Sequence, residues 1–238
     1  YLKFLMLIFF RGDNMCNDNT VDKLKNEFHY TLSKFSHEIR NPITLINSEL
    51  QMIAAAHPEV QEYKQWDDVI DNLDYVRDLL DELSAFNNAN RITPKATDTC
   101  AYLKTILSSV KPTLDYLEIT LESDIPDSLP VMMLDQIKIR QMMINLLKNA
   151  WEAVPVPGGK ITVSAYSKNH GIAIDIQDNG CGISPEDQAT IFQPFFTTKE
   201  SGTGLGLPVV KQIVEAHHGS ISAESTPDQG TVFHIFLG

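Results

Sequence analysis

A histidine beside a carboxylate carries the first chemistry in the sequence, in Phe35-Ser36-His37-Glu38-Ile39-Arg40-Asn41-Pro42-Ile43. A neutral imidazole is a good nucleophile, and Glu38 is placed to accept the other ring proton of His37 or to hold its tautomer. Pro42 removes the helical hydrogen bond to the carbonyl of Glu38 and is expected to bend the backbone there. Most helical histidines are solvated or packed, so it is the proline and the carboxylate that favour a functional site.

Two asparagines four residues apart, Asn145 and Asn149, are expected to lie on one face of a helix. Asparagine is a poor helix former, and its amide oxygen suits Mg²⁺, which shares its coordination positions with substrate phosphates. The pair predicts a magnesium and phosphate site, although two solvated asparagines would leave the same pattern. Lys148 lies beside the pair. Glu152, one turn further on, is either a further polar contact or a surface charge, and the surface charge is the favoured interpretation.

A turn motif follows a predicted strand at Asp178-Asn179-Gly180-Cys181-Gly182-Ile183. Its glycines would let the main chain approach a flat ligand, and Asp178 can accept a hydrogen bond from an exocyclic amine. Many hairpins end in such a sequence, so the motif alone leaves an ordinary turn as an equal alternative.

Three alternating glycines in Ser201-Gly202-Thr203-Gly204-Leu205-Gly206-Leu207-Pro208 lead directly into a predicted helix. Successive amides can point at a phosphate, and the helix N-terminus adds partial positive charge, with Pro208 suited to the first turn. The spacing matches neither a Rossmann fingerprint nor a Walker loop. In the preceding segment, Phe192 to Lys199, the aromatic side chains are expected in the core, and Lys199 either reaches a phosphate or stays solvated.

Two long helices are predicted around the histidine, over residues 21–56 and 61–88, with a break at His57-Pro58. Apolar residues recur at steps of three and four in both: Val21, Leu24, Phe28, Leu32, Phe35 and Ile39 in the first, and Trp66, Val69, Leu73, Val76, Leu80 and Leu83 in the second. One hairpin cannot cover such stripes alone. Two copies are therefore expected to pair in a four-helix bundle, which predicts a homodimer.

The rest of the chain predicts an α/β sandwich after a polar linker. Helices are predicted over 100–110, 136–154 with Asp135 as N-cap, and 208–217, and strands over 119–122, 160–167, 172–178, around Ile221 and over 232–237. The fold class is α+β, a helical hairpin forming a dimeric four-helix bundle followed by an α/β sandwich. The predicted divisions are an N-terminal stub at 1–20, the hairpin at 21–89, the linker at 90–98 and the second domain at 99–238.

The composition argues against several classes of protein. A net charge of −12 on 238 residues disfavours a nucleic-acid partner. The cysteines, Cys16, Cys100 and Cys181, have neither disulfide-framework nor zinc spacing, which fits a reducing, cytoplasmic setting. The apolar residues 1–10 are shorter than the roughly 20 that span a bilayer. They are interpreted either as the end of a membrane helix, whose anchoring segment would lie upstream, or as a vector remnant or buried stub.

In their order and separation, these motifs closely resemble the H, N, G1, F and G2 boxes of the sensor histidine kinases of two-component systems, from about residue 20 onward. The resemblance implies a dimerisation and phosphotransfer hairpin followed by an ATP-binding domain of the GHKL (Bergerat) type. The short segment between Phe196 and Gly202 is similar to the lid of the nitrogen-regulator and sporulation-kinase branches. His37 would be the phosphoacceptor, Glu38 the acid/base, and Asn41 the residue that helps to dephosphorylate the partner regulator.

The same resemblance implies a nucleotide site. Asn149 would be the principal Mg²⁺ ligand with Asn145 assisting, and Asp178 would bind the adenine amine. The other implied nucleotide-binding residues are Lys148, Gly180, Gly182, Phe192, Lys199, Gly202, Thr203, Gly204, Leu205, Gly206 and Thr231. Many members of the family carry a basic residue at the position of Glu152, a departure that affects the phosphate contacts.

The implied activity uses ATP and Mg²⁺ to phosphorylate His37 and passes the phosphoryl group to an aspartate of a response-regulator receiver domain. One alternative is a non-signalling GHKL ATPase, in which a transducer domain would follow the ATP site. Another is a phosphatase-dominant scaffold that binds ATP and hardly phosphorylates itself. The histidine on its predicted hairpin argues against the first, and the intact asparagines and glycines argue against the second.

Overall fold

The computed structural model describes residues 18–199 and 202–238, with residues 18–30 as backbone only. The chain divides into two compact units between Asn87 and Asn88. Most of the predicted stub at 1–20, together with Ser201 of the glycine motif, lies outside the described residues. Among the residues that are described, no helix is both long enough and apolar enough to cross a membrane.

The first unit consists of two helices joined by a short 3-10 helix. Helix α1 spans Asp18–Ala56, the 3-10 helix spans Pro58–Glu62, and helix α2 spans Lys64–Asn87. The break at His57 was predicted, because a residue before proline disfavours the helical conformation, and His57 has φ −135° and ψ 74°. Helix α1 continues through Pro42 without interruption. Helix α2 begins later than predicted because the 3-10 helix takes up the intervening residues.

The two helices contact each other through a polar bridge and leave many apolar side chains uncovered. The guanidinium of Arg40 on α1 donates to the carboxylate of Asp81 on α2 (2.8 Å) and to the carbonyl of Leu80 (3.4 Å). Since residues 40 and 81 lie at similar distances from the turn, the helices run antiparallel. Among residues 31–87, whose side chains the structure describes, the exposed large apolar residues are Phe35, Leu45, Ile46, Met52, Ile53, Tyr63, Val69 and Tyr75.

The second unit is built on a five-stranded sheet with the order β2-β4-β5-β7-β6. The strands are β2 (Thr120–Asp124), β4 (Lys160–Lys168), β5 (Gly171–Asp178), β6 (Ser220–Thr226) and β7 (Gly230–Leu237). The β2–β4 pair is parallel and the other pairs are antiparallel. The β4–β5 hairpin was predicted, and its turn residues Asn169 and His170 both have positive φ, as a two-residue hairpin turn of type I′ requires.

Helices cover one face of this sheet. The long ones are α3 (Thr99–Tyr116), α4 (Gln136–Ala153) and α6 (Gly206–Ala216), and α5 (Pro185–Gln188) is a single turn. Burial alternates along β4 and β7, which is the pattern of a sheet with one packed face. The core between sheet and helices includes Met142, Leu146, Ile161, Val163, Ile174, Ile176, Val210, Ile213 and Ile235, all less than 3% exposed.

Two predictions about the N-terminal part of this unit need correction. The predicted linker at 90–98 ends in a strand, β1 (Lys95–Asp98), which pairs antiparallel with β3 (Val131–Leu134). Strands of four residues are too short to show a clear period, and neither was predicted. The helix predicted to end at Val110 continues through Pro112 to Tyr116, because its apolar face extends to Leu114, which is fully buried.

Candidate functional site

Helix α4 presents the predicted metal-binding amides next to the start of helix α6. Asp135 caps α4 by accepting from the amide of Lys138 (3.1 Å), as predicted. The side-chain amide of Asn145 donates to the carbonyl of Gly206 (3.3 Å), which leaves its oxygen for a ligand. Asn149, one turn further along, is half-buried, and its side chain makes no hydrogen bond to another residue that the structure describes. Two amide oxygens therefore remain available on one helix face, and this donor set fits Mg²⁺.

Glu152 lies in an ion-pair cluster on the same helix. Its carboxylate contacts the ammonium of Lys199, and its other oxygen lies 3.9 Å from the ammonium of Lys148. The Glu152 side chain is 33% exposed. Glu152 is thus a partly exposed charge that also makes the polar contact left open by the sequence, because Lys199, distant in sequence, folds back onto α4. Lys199 and Lys148 are both held by this carboxylate, close to the amides.

Asp178 is buried at the end of β5 with one of its two oxygens occupied by the protein. Its Oδ1 accepts from the amides of Gly180 (2.8 Å) and Thr231 (3.3 Å). Among the described residues, Oδ2 accepts no hydrogen bond. Burial raises the pKa of the Asp178 carboxyl and outweighs the two amide donors, which lower it. The carboxyl group is thus fixed by one oxygen, with the second available to a ligand that carries a hydrogen-bond donor.

The turn after Asp178 packs against the end of α4. The amide of Cys181 donates to the carbonyl of Ala153 (3.1 Å). Gly182 has a φ of +70°, a conformation that other residues adopt only with strain. Thr231 is 4% exposed, and its hydroxyl lies 2.9 Å from that of Ser225. Ser225 also accepts from the amide of Ile183 (2.8 Å), so it ties this turn to β6, and nothing in the sequence indicated that role.

The glycine motif is held against the aromatic segment that precedes it. Gly204 has φ +68°, and a Cβ there would lie 2.5 Å from the carbonyl oxygen of Phe196. The carbonyl of Gly204 accepts a hydrogen bond from the amide of Phe195 (2.9 Å). Phe195 also has a positive φ, of +64°. Positive φ is rare for an aromatic residue, and the sequence did not predict it. Phe192, earlier in the segment, is half-buried.

Helix α6 begins at Gly206, two residues earlier than predicted, and no side chain caps it. The amide of Leu205, which is 3% exposed, bonds to the Thr203 hydroxyl (3.2 Å), and that of Gly202 bonds to the carbonyl of Lys199 (3.2 Å). The first-turn amides of an uncapped helix carry partial positive charge and suit an anion. The predicted phosphate residues are therefore next to the amides of α4, since Asn145 contacts Gly206.

His37 and its neighbours belong to the first unit. His37, Glu38 and Asn41 are all exposed on α1. The carboxylate of Glu38 lies 3.8 Å from the ammonium of Lys34, one turn earlier. Ser36 is buried, and its hydroxyl donates to the carbonyl of Leu32 (2.8 Å), so the adjacent His37 projects from a different side of the helix. The imidazole is accessible to a reaction partner.

Comparison with known proteins adds to this geometry. Residues 134–238 match the family described as histidine kinase-, DNA gyrase B-, and HSP90-like ATPase. Sporulation kinase B of Bacillus subtilis (strain 168) is 32% identical over 206 residues, which cover 85% of this chain and 47% of that protein. The signal transduction histidine-protein kinase AtoS of Escherichia coli (strain K12) is 33% identical over 205 residues, covering 85% of this chain and 33% of that protein. The chain thus spans less than half the length of these relatives.

A solved structure supports the same fold. Full-length ShkA, in a structure in complex with AMPPNP, is similar with a TM-score of 0.74 over 87% of this chain and 45% of that one, at 20% identity. This level of identity indicates a shared fold. Together with the family match, it confirms the GHKL-type α/β sandwich predicted for the second unit.

Proposed function

We propose that this chain is an ATP-dependent protein-histidine kinase that phosphorylates His37. Its residues 134–238 match the histidine kinase-, DNA gyrase B-, and HSP90-like ATPase family, and the relatives it resembles include a histidine-protein kinase and a sporulation kinase. The observation that carries the proposal is the exposed His37, with Glu38 and Asn41 beside it, in a two-helix unit that precedes an ATPase domain. An ATPase that only drives a conformational change has no use for this group.

The second unit would bind the nucleotide along α4. The free oxygen of Asp178 would accept from the exocyclic amine of adenine, and Thr231 would support the base from the adjacent strand. The phosphates would lie over the glycine motif and the start of α6, within reach of Lys199 and Lys148. Asn149 and the free oxygen of Asn145 would hold Mg²⁺, which supplies charge neutralisation on the phosphates when it is bound.

In the proposed reaction a lone pair on one ring nitrogen of His37 attacks the γ-phosphorus of ATP. A nitrogen–phosphorus bond forms while the bond from phosphorus to the bridging oxygen breaks, and ADP leaves with that electron pair. The proton on the other ring nitrogen is accepted or held by Glu38. The phosphoryl group would then pass to an aspartate of a response-regulator receiver domain, and Asn41 would assist its later hydrolysis.

The first unit would work as a homodimer. Its apolar surface includes Leu45 and Met52 on one side of α1, each 65% exposed. A second hairpin would cover these residues in a four-helix bundle. Light scattering is expected to give twice the mass of the chain. Leu45→Glu should shift the protein to monomer, whereas Tyr116→Glu, at a residue of the second unit that is 87% exposed, should not.

The kinase proposal is tested with γ-labelled ATP and Mg²⁺. We expect label on the wild-type chain that resists alkali and is lost in acid, and none on His37→Gln or Asn149→Asp. His57→Gln is the matched control, because His57 is also an exposed histidine of the first unit, paired with Glu59 at 3.1 Å, and it should keep the label. A wild-type chain that binds or hydrolyses ATP without becoming labelled would point to the ATPase or phosphatase alternatives.

A further inference from the structure

Glu152 lies where an anionic ligand is expected to arrive. It follows Asn145 by seven residues and Asn149 by three, so all three side chains lie on one side of α4. Its carboxylate nevertheless contacts Lys199, which immediately precedes the part of the chain that carries the glycine motif. A negative charge at the edge of a phosphate site needs a physical explanation.

The carboxylate and the phosphates would compete for the same ammonium group. Both are anions, and the Lys199 side chain, 43% exposed, is in contact with Glu152. Lys148 is at 3.9 Å and more exposed, at 54%, so it interacts with Glu152 more weakly. A nucleotide phosphate that binds Lys199 must therefore replace Glu152 or share the ammonium with it.

We propose that Glu152 is a positioning residue that holds Lys199 on α4 beside Asn149 and competes with the nucleotide phosphates for it, thereby lowering the affinity for ATP. This inference rests on the proposed ATP site. Glu152 carries a negative charge, and its role is to oppose phosphate binding. Nucleotide affinity in this chain is then set by the exchange of Lys199 between a carboxylate of the protein and a phosphate of the ligand.

The expected effect follows from the strength of such a pair. Partly exposed ion pairs contribute little, and their loss corresponds to roughly a two- to fivefold change in an equilibrium constant. Glu152→Gln keeps the shape of the side chain and should tighten the binding of Mg²⁺ and AMPPNP by about this factor. Lys199→Met should weaken it. In the Lys199→Met background, the additional Glu152→Gln change should have almost no effect.

Binding of AMPPNP to the full chain is measured by titration calorimetry for the wild type, both single variants and the double variant. The matched control is Glu215→Gln, which removes the same charge from an exposed pair with Lys211 (3.9 Å). Glu215 lies about 13 Å along α6 from Gly206. It should leave the affinity unchanged. The gain from Glu152→Gln should shrink when the salt concentration rises from about 0.05 to about 0.5 M, since screening weakens a charge effect and not a packing effect.

Three results would overturn the inference. If Glu152→Gln weakens binding as Lys199→Met does, then Glu152 supports the binding position of Lys199. If Glu152→Gln has the same effect in both backgrounds, its charge acts without Lys199. If the affinity does not change, there is no competition. A wild-type chain that fails to bind AMPPNP would instead refute the proposed ATP site itself, and the two failures are therefore distinguishable.

Discussion

Replacing Asp178 by Asn should separate nucleotide binding from stability. The substituted side chain keeps an oxygen that can accept from the amides of Gly180 and Thr231, as Oδ1 does now at 2.8 and 3.3 Å. The other position changes from an acceptor to an NH₂ donor, which would face the donor group of adenine. We therefore expect Asp178→Asn to fold normally and to lose most of its affinity for ATP.

The size of the loss follows from the bond that disappears. Hydrogen bonds to charged groups contribute about 1.5–3 kcal/mol, and each 1.4 kcal/mol is roughly a factor of ten in affinity. Asp178→Asn should therefore weaken AMPPNP binding about tenfold to a hundredfold. The control is Asp175→Asn on the same strand. Asp175 bonds to His234 at 2.7 Å and points to the opposite face of the sheet, so its substitution should leave the affinity unchanged.

The same substitution should raise the stability of the unliganded protein at neutral pH. Because burial raises the pKa of Asp178, its carboxyl group favours the folded state when protonated, and this contribution is lost as the pH rises through the folded pKa. The charged form is thus unfavourable at pH 7, and a neutral amide avoids that cost. The stability gain of Asp178→Asn should decrease as the pH falls toward about 4, near the ordinary pKa of aspartate. Unchanged ATP affinity, or a lower melting temperature at pH 7, would refute the reasoning.

Three further substitutions test the surroundings of the site. Gly204→Ala should abolish ATP binding and lower the melting temperature, because its Cβ would lie 2.5 Å from a backbone carbonyl oxygen. Gly206→Ala is the control for stability, since its Cβ would meet nothing within 4 Å, and it should melt nearly as the wild type does. His217→Phe should lower the free energy of unfolding, measured by urea denaturation, by about 1–3 kcal/mol. The reason is that the amide of Asp135 would lose its acceptor, the imidazole at 3.0 Å. An unchanged free energy of unfolding would show that water replaces the imidazole. Arg40→Ala should cost less than about 1 kcal/mol in the same assay, since its pair with an exposed carboxylate is a surface ion pair, and a larger cost would mean that the bridge determines helix pairing.

The sequence predicted those elements whose residues repeat with a clear period. Helix α4 was predicted within one residue at its end, with its cap, because Asp135 precedes a run of good helix formers. The β4–β5 hairpin followed from two alternating segments around a short turn. Strands β1 and β3 have only four residues each, and what defines them is their mutual pairing. A partner distant in sequence cannot be seen in a local pattern.

The candidate site shows the same limit. The amides of Asn145 and Asn149 and the carboxylate of Asp178 could be proposed as ligand-binding groups from their types and spacing, since their neighbours in sequence are also their neighbours in space. The ion pair between Glu152 and Lys199 depends on a contact between α4 and a loop 47 residues away. The sequence therefore indicated both charges and left their pairing undetermined.

Helix α4 is tied to the rest of its unit at both ends, which explains how the site keeps its geometry. At the first end, Asp135 accepts from the amide of Thr93 (2.7 Å) and donates its own amide to the buried imidazole of His217 (3.0 Å), just after α6. At the last end, the carbonyl of Ala153 accepts from the turn that follows Asp178 (3.1 Å). Asn145 and Asn149, the proposed metal ligands, lie between these two attachments. A shift of the segment around Thr93 would therefore act on the helix that carries those amides.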